Sequence, residues 1–167
     1  MDNYKITKNT FALIPIDKYR TKIIENYITY IVDENIKQII EKNCLFYCSS
    51  LKGRIEATSY LIGVKYKAPV ILSELLNLVF FPTLCPDSED CIWINIDSVS
   101  EYKKLLENTI ITFKNSKKLK INVSENIISN QILKSSRLLT VLRSKKTWFF
   151  FFLPQIYDII IMWIGVR

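Results

Sequence analysis

Seven short runs rich in β-branched and aromatic residues recur along the chain, and they restrict it to a β-rich fold more than any other feature does. They are Phe11–Pro15, Ile23–Val32, Lys67–Leu72, Val79–Thr83, Cys91–Ile96, Thr109–Phe113 and Leu119–Val123. Turn chemistry separates several of them. Pro86–Asp90 breaks one pair, and Asn115-Ser116-Lys117 predicts a hairpin between the last two. Two stretches carry a helical period instead. Asp33 is a suitable N-cap for a helix over Glu34–Tyr47, with Ile36, Ile39, Ile40, Cys44 and Tyr47 on one face. Ser124 can cap a second helix from Glu125 to Lys145, with a stripe of Ile127, Ile128, Ile132, Leu138, Leu139 and Leu142. With 167 residues, no internal repeat and no linker, the prediction is a single α+β domain. It should have a mainly antiparallel sheet, flanking helices and a long C-terminal helix.

Residues 147–167 differ from this body. Four phenylalanines (Phe149–Phe152) and Ile159-Ile160-Ile161-Met162 make the segment nearly all apolar, interrupted by Pro154, Gln155 and Asp158. Its length approaches the roughly 20 residues that cross a bilayer, but Asp158 would be costly there. Three readings stay open: a membrane anchor, a buried helix or strand pair, and a stretch never selected for structure, as a frame-disrupted end would be. The sequence therefore divides into a body, residues 1–146, and an atypical hydrophobic tail, residues 147–167. Met1–Thr10 mixes Asp2, Lys5 and Lys8 with polar residues and lacks the apolar core of a secretory signal. The expected compartment is the cytoplasm, where the four cysteines would stay reduced.

The chain has no histidine, which removes Ser-His-Asp triads, Cys-His dyads and His-ligated metals. Cys44 and Cys48, then Cys85 and Cys91, lack the two-residue knuckles of a zinc ribbon. Cys44 and Cys48 are instead expected to pack in a helix as small apolar side chains. Gly53, Gly63 and Gly165 stand alone, so no Gly-rich phosphate loop exists. Asp87, Glu89 and Asp90 read as a solvated acidic turn. No cofactor, resident metal or catalysis is predicted. A metal-dependent nuclease using Asp or Glu is the weakest reading.

Charge points elsewhere. The net charge is +7, and it is unevenly spread. Residues 1–73 carry 11 basic and 7 acidic side chains, residues 74–113 carry 2 and 7, and residues 114–167 carry 10 and 2. Basic ends around an acidic middle suit a polyanion such as double-stranded DNA. Ser49, Ser50, Lys52, Gly53 and Arg54 form one candidate contact, predicted as a loop in which hydroxyls, a close-approach glycine and cations converge. Lys65 and Lys67 follow. Lys117, Lys118 and Lys120 line the predicted hairpin beside Lys114, and Lys134, Arg137 and Arg143 lie on the last helix. The competing reading is a membrane-associated interaction protein anchored by residues 147–167.

The segment from Ile36 to Lys120 resembles the competence transcription factor ComK family of Gram-positive bacteria. Cys44-Leu-Phe-Tyr and Ser49-Ser-x-x-Gly-Arg-x-x-Ala57 carry the likeness, followed by Lys67-Ala-Pro-Val-Ile-Leu72, Phe80-Phe81-Pro82-Thr83 and Ile92-Trp93-Ile94. A weaker continuation includes Thr112-Phe113-x-Asn115, Val123-Ser124 and Asn130-Gln131. The resemblance implies a sequence-specific activator of DNA-uptake genes. It would recognise paired A/T-rich boxes largely through the minor groove, as homo-oligomers whose dimers assemble side by side on DNA. On that reading Arg54 is a groove or phosphate contact, Ser49, Ser50, Lys52 and Gly53 hold its loop, and the remaining lysines touch phosphates. Two departures stand out: Cys48 replaces the family's usual small residue before Ser-Ser, and residues from Trp148 onward do not resemble the family's polar tail. The adaptor-guided proteolysis associated with that tail is therefore not carried over.

Overall fold

The computed structural model describes the backbone of residues 4–164 and the side chains of residues 4–145. An interior strand, β5 (Leu78–Pro82), is buried along its whole length, as its unbroken apolar run requires. It belongs to a six-stranded antiparallel sheet with β1 (Thr10–Pro15), β2 (Thr21–Glu25), β3 (Thr29–Val32), β4 (Val70–Ser73) and β6 (Trp93–Asn95). The spatial order is β3-β2-β1-β6-β5-β4. A second antiparallel sheet, ordered β7-β8-β9, contains β7 (Val99–Leu105), β8 (Asn108–Phe113) and β9 (Lys118–Ile121).

Alternation along β5 divides the core. Leu78 and Phe80 face α1 (Ile36–Phe46), which contributes Ile36, Ile39, Ile40 and Cys44. Phe81 faces the other way with Phe11, Ile24 and Ile94, against Ile111, Phe113 and Ile121 of the small sheet and Ile128 of α3 (Glu125–Ile164). Val79 and Ile71 pack on Ile62 of α2 (Leu51–Ile62) and on Leu138 and Leu142 of α3. A bulge explains why adjacent Phe11 and Ala12 join one cluster: the register between β1 and β2 shifts between Thr10 and Ala12.

Two buried amides join segments distant in sequence. Asn43 accepts from the Ile6 amide at 2.8 Å and donates to the Tyr4 and Ile39 carbonyls, both at 2.8 Å, which fastens the N-terminal segment to α1. Gln131 donates to the Pro82 carbonyl and so fastens α3 to β5.

The α+β architecture matches the sequence prediction, and four local readings need correction. Ile23–Val32 is two strands, because Asn26-Tyr27 turns the chain and the Glu25 amide donates to the Ile28 carbonyl at 2.9 Å. The first helix is capped by Asn35, not Asp33, through a reciprocal box in which Asn35 accepts from the Gln38 amide and Gln38 from the Asn35 amide. The predicted Ser49–Arg54 loop is the entry into α2. Ser50 caps that helix, and Gly63 at φ 69° ends it. β7 was not foreseen, since Glu101, Lys103 and Lys104 are exposed and interrupt any apolar pattern.

The cysteine reading holds in part. Cys44 and Cys91 are buried, and burial pushes each thiol up to about 11. Cys48 is instead exposed, outside α1, with a left-handed φ of 58°. Helical backbone continues past Lys145 to Ile164, but the side chains of residues 147–167, on which the tail readings turn, lie outside the described residues. Among the described residues, no helix is long and apolar enough to cross a membrane.

Candidate nucleic-acid interface

The predicted contacts fall in three places. Ser49, Ser50, Lys52, Gly53 and Arg54 occupy the corner between α1 and α2. The Ser50 hydroxyl accepts from the Gly53 amide at 3.0 Å, so the predicted loop donors are organised as a helix N-terminus. Such an end presents backbone N–H groups suited to an anion.

Arg54 does not project from this corner. Its side chain is 14% exposed, with one guanidinium nitrogen 3.4 Å from a Glu74 carboxylate oxygen and another 3.2 Å from the Tyr47 carbonyl. Tyr47 is the C-cap of α1, so the cation sits at the negative end of that helix. Arg54 clamps α1, α2 and the end of β4 together. Lys52 is highly exposed and lies 3.9 Å from Glu56, a separation that contributes little at the surface.

The other end of α2 is different. After Gly63 the chain passes through Lys65, Tyr66 and Lys67 before entering β4, and the middle of α3 lies alongside. Lys134 Nζ donates to the Tyr66 carbonyl at 3.0 Å. Val64, Asn130, Leu133, Lys134 and Arg137 line a shallow groove of about 270 Å³. Thus the 64–67 segment lies against α3, which brings Lys67 beside Lys134 and places Lys65 and Arg137 on the two segments that border the groove. No carboxylate forms an ion pair with any of these four cations among the described residues.

Burial and the neighbouring Lys67 ammonium hold Lys134 below the usual lysine range. Lys67 itself has a φ of 49°, a left-handed conformation uncommon for a residue with a side chain. Like charges held together, on a backbone that disfavours the arrangement, are unfavourable in the free protein. An anion would relieve the repulsion.

Tyr66, 82% exposed, and Leu133, 64% exposed, stand among these cations. The sequence reading missed both. Their signal was available only in part, as an aromatic between two lysines and an apolar residue next to Lys134.

The hairpin lysines form the third place. Lys118 and Lys120 are exposed on β9. Lys117 turns inward, with Nζ 3.3 Å from the Glu25 carbonyl and 3.5 Å from the Thr29 hydroxyl. Asn115 donates to the Asn26 carbonyl at 2.6 Å, so the β8–β9 turn is fastened to the β2–β3 turn. Lys114 pairs with Asp97 at 3.1 Å. Among the described residues, no group of three or more His, Cys, Asp or Glu side chains is placed to hold a metal ion.

A search among proteins of known identity gives these features a family. The competence transcription factor of Bacillus subtilis (strain 168) is 29% identical over 183 aligned positions, covering 100% of this chain and 95% of that protein. No solved structure matches. The family model described as ComK protein matches residues 1–147, and the chain belongs to that family.

Proposed function

We propose that this chain is a competence transcription factor that binds double-stranded DNA through the cation cluster joining the α2–β4 connection to α3. The observation that carries the reading is the packing of the Lys65–Lys67 segment against α3, which crowds Lys134 with Lys67 and puts four cations without a carboxylate ion pair on two adjoining segments. Each ammonium or guanidinium that meets a phosphate releases condensed counterion, so four together give substantial binding at moderate salt. Membership of a family named for ComK, and likeness to a competence transcription factor, support DNA as the polyanion.

The finer reading concerns A/T-rich boxes. Narrow A-tract minor grooves concentrate negative potential and attract Arg and Lys. Arg137 and Lys65 are the exposed cations of the cluster and are assigned to the groove and its walls. Lys67 and Lys134 are assigned to phosphates. The N-terminus of α2, with Ser49, Ser50, Lys52 and Gly53, lies about 18 Å away along a 12-residue helix and forms a second phosphate contact. Arg54 holds that corner in place. Lys118 and Lys120 add sequence-independent attraction, and Lys117 supports their turn. The protein acts as a homo-oligomer on paired boxes, in the cytoplasm and without catalysis, with residues 1–146 as the DNA-binding body and 147–167 as a separate tail.

A gel-shift titration tests this, using full-length protein and residues 1–146 on duplexes whose A/T boxes are spaced by whole or half helical turns. The expected result is preferential binding to A/T boxes over a G/C competitor, with tighter binding at whole-turn spacing. Equal affinity for both duplexes at moderate salt would overturn the minor-groove reading.

A further inference from the structure

The four strand edges of the two sheets are unequally protected, and the exception points to a partner. β4, at one edge of the large sheet, is fully buried, with Ile71 packed on Ile62 of α2 and Leu138 of α3. β7 presents exposed Glu101, Lys103 and Lys104, and β9 presents exposed Lys118 and Lys120. Charges of this kind, especially lysine, discourage another strand from pairing. β3 carries no charge within its own four residues, and Lys117 touches it only at the Thr29 hydroxyl. Its sequence, Thr-Tyr-Ile-Val, is uncharged and β-prone, with Ile31 56% exposed and Tyr27 and Ile28 also exposed beside it.

The register shows which backbone groups are open. The Glu25 amide donates to the Ile28 carbonyl at 2.9 Å, so 25 and 28 form a hydrogen-bonded pair. Antiparallel pairs alternate, which makes Ile23–Tyr30 and Thr21–Val32 the next bonded pairs. Thr29 and Ile31 therefore direct their N–H and C=O groups away from β2. Neither has another backbone hydrogen bond among the described residues.

We infer that β3 pairs antiparallel with β3 of a second copy about a two-fold axis through Tyr30, joining two six-stranded sheets into one. Thr29 of one copy then exchanges backbone hydrogen bonds with Ile31 of the other, and the reciprocal pair repeats them. This is the self-matching arrangement that a two-fold interface requires.

Charge favours the same occupant. The Asp33 end of each β3 comes beside the Tyr27 end of the other. There Lys117 Nζ rests near the Glu25 carbonyl and the Thr29 hydroxyl. Asp33 is exposed and makes no ion pair within 4 Å among the described residues, although the Arg20 guanidinium is near enough to interact with it. The two-fold thus places an exposed carboxylate toward an ammonium at each end of the seam. The seam is short beside standard interfaces, so the dimer is weak and forms without DNA.

Sedimentation equilibrium of the full chain between about 1 and 100 µM tests the pairing. Wild type should show concentration-dependent dimerisation, and Ile31→Lys should weaken it at least tenfold. A second measurement fixes the register. Thr29→Cys and Ile31→Cys chains, mixed under mild oxidation, should form a disulfide-linked dimer that neither chain forms alone, because a bonded antiparallel pair has a Cα separation suitable for a disulfide. A wild-type chain that stays monomeric throughout, an Ile31→Lys dimer as strong as wild type, or equal cross-linking in the unmixed samples would each overturn the proposal. Monomeric wild type would leave the edge to an extended segment of a different protein.

Discussion

The two ends of α2 carry similar basic residues in the sequence and differ in what surrounds those residues in the fold. At the N-terminal end, Arg54 is largely enclosed, with Glu74 and the Tyr47 carbonyl as partners, and Lys52 has Glu56 nearby. At the C-terminal end, the segment with Lys65 and Lys67 packs against the part of α3 that holds Lys134 and Arg137, and none of the four has a carboxylate ion pair among the described residues. The first arrangement spends its guanidinium on the fold. The second leaves a concentration of positive charge that the fold does not neutralise. Counting lysines and arginines along a sequence does not separate these cases, because the deciding quantity is which partners the topology supplies.

Substitutions should divide along the same line. The largest effect is expected from replacing Lys65, Lys67, Lys134 and Arg137 with alanine together. Affinity for an A/T-box duplex should fall by about 10³-fold or more at roughly 0.1 M salt, with little change in Tm. A fluorescence-anisotropy titration paired with a thermal melt checks both halves. Arg54→Ala should do the reverse. It leaves the Glu74 carboxylate and the Tyr47 carbonyl without this partner and should destabilise by about 1–3 kcal/mol in a urea titration. Its effect on the salt dependence of binding should be small. If Arg54→Ala instead lowers affinity as much as the fourfold variant does, at unchanged stability, the contrast between the two ends fails.

Cys48→Gly refines the N-terminal end. Cys48 has a φ of 58°, where glycine carries no Cβ penalty, and its thiol is exposed and unpaired with another cysteine. The substitution should stabilise by up to about 1 kcal/mol, read as a rise in Tm. The smallest effect concerns Lys134. Its ammonium titrates below the usual lysine range because of burial and Lys67. The unfolded chain therefore binds more protons near that range, and this group's unfavourable contribution to stability diminishes as pH rises through the folded value. Nitrogen NMR of the Lys134 side chain should show the depressed titration, and Lys67→Met should move it partly back toward the ordinary value. An unchanged titration in that variant would separate the two side chains.

Legibility in the sequence followed burial. β8 was readable because Thr109, Ile111 and Phe113 alternate inward, and α1 because its apolar positions keep a helical period. α2 was not readable by period, since only Thr58 and Ile62 are fully buried along it. Ser50 and Gly63 were its available signals, as cap residues at the two ends. The β2–β3 turn was obscured because β-prone residues flank Asn26-Tyr27 on both sides.

The candidate site was legible as residue types but not as an assembly. Lys65 and Lys67 follow the Lys52–Arg54 cluster closely in the sequence, whereas α2 separates the two by about 18 Å. The approach of α3 to Tyr66 depends on the packing of Leu138 and Leu142 over β4 and β5, a contact that no local pattern encodes.

The salt dependence of binding tests the central claim most directly. Affinity of wild type and of the fourfold alanine variant is measured on one A/T-box duplex across a series of salt concentrations, and log K is plotted against log salt. Loss of two phosphate-bound cations and two groove cations, each of which displaces counterion, should make the slope shallower by about 2 to 4 units. A slope unchanged from wild type would mean that these four side chains do not meet the DNA.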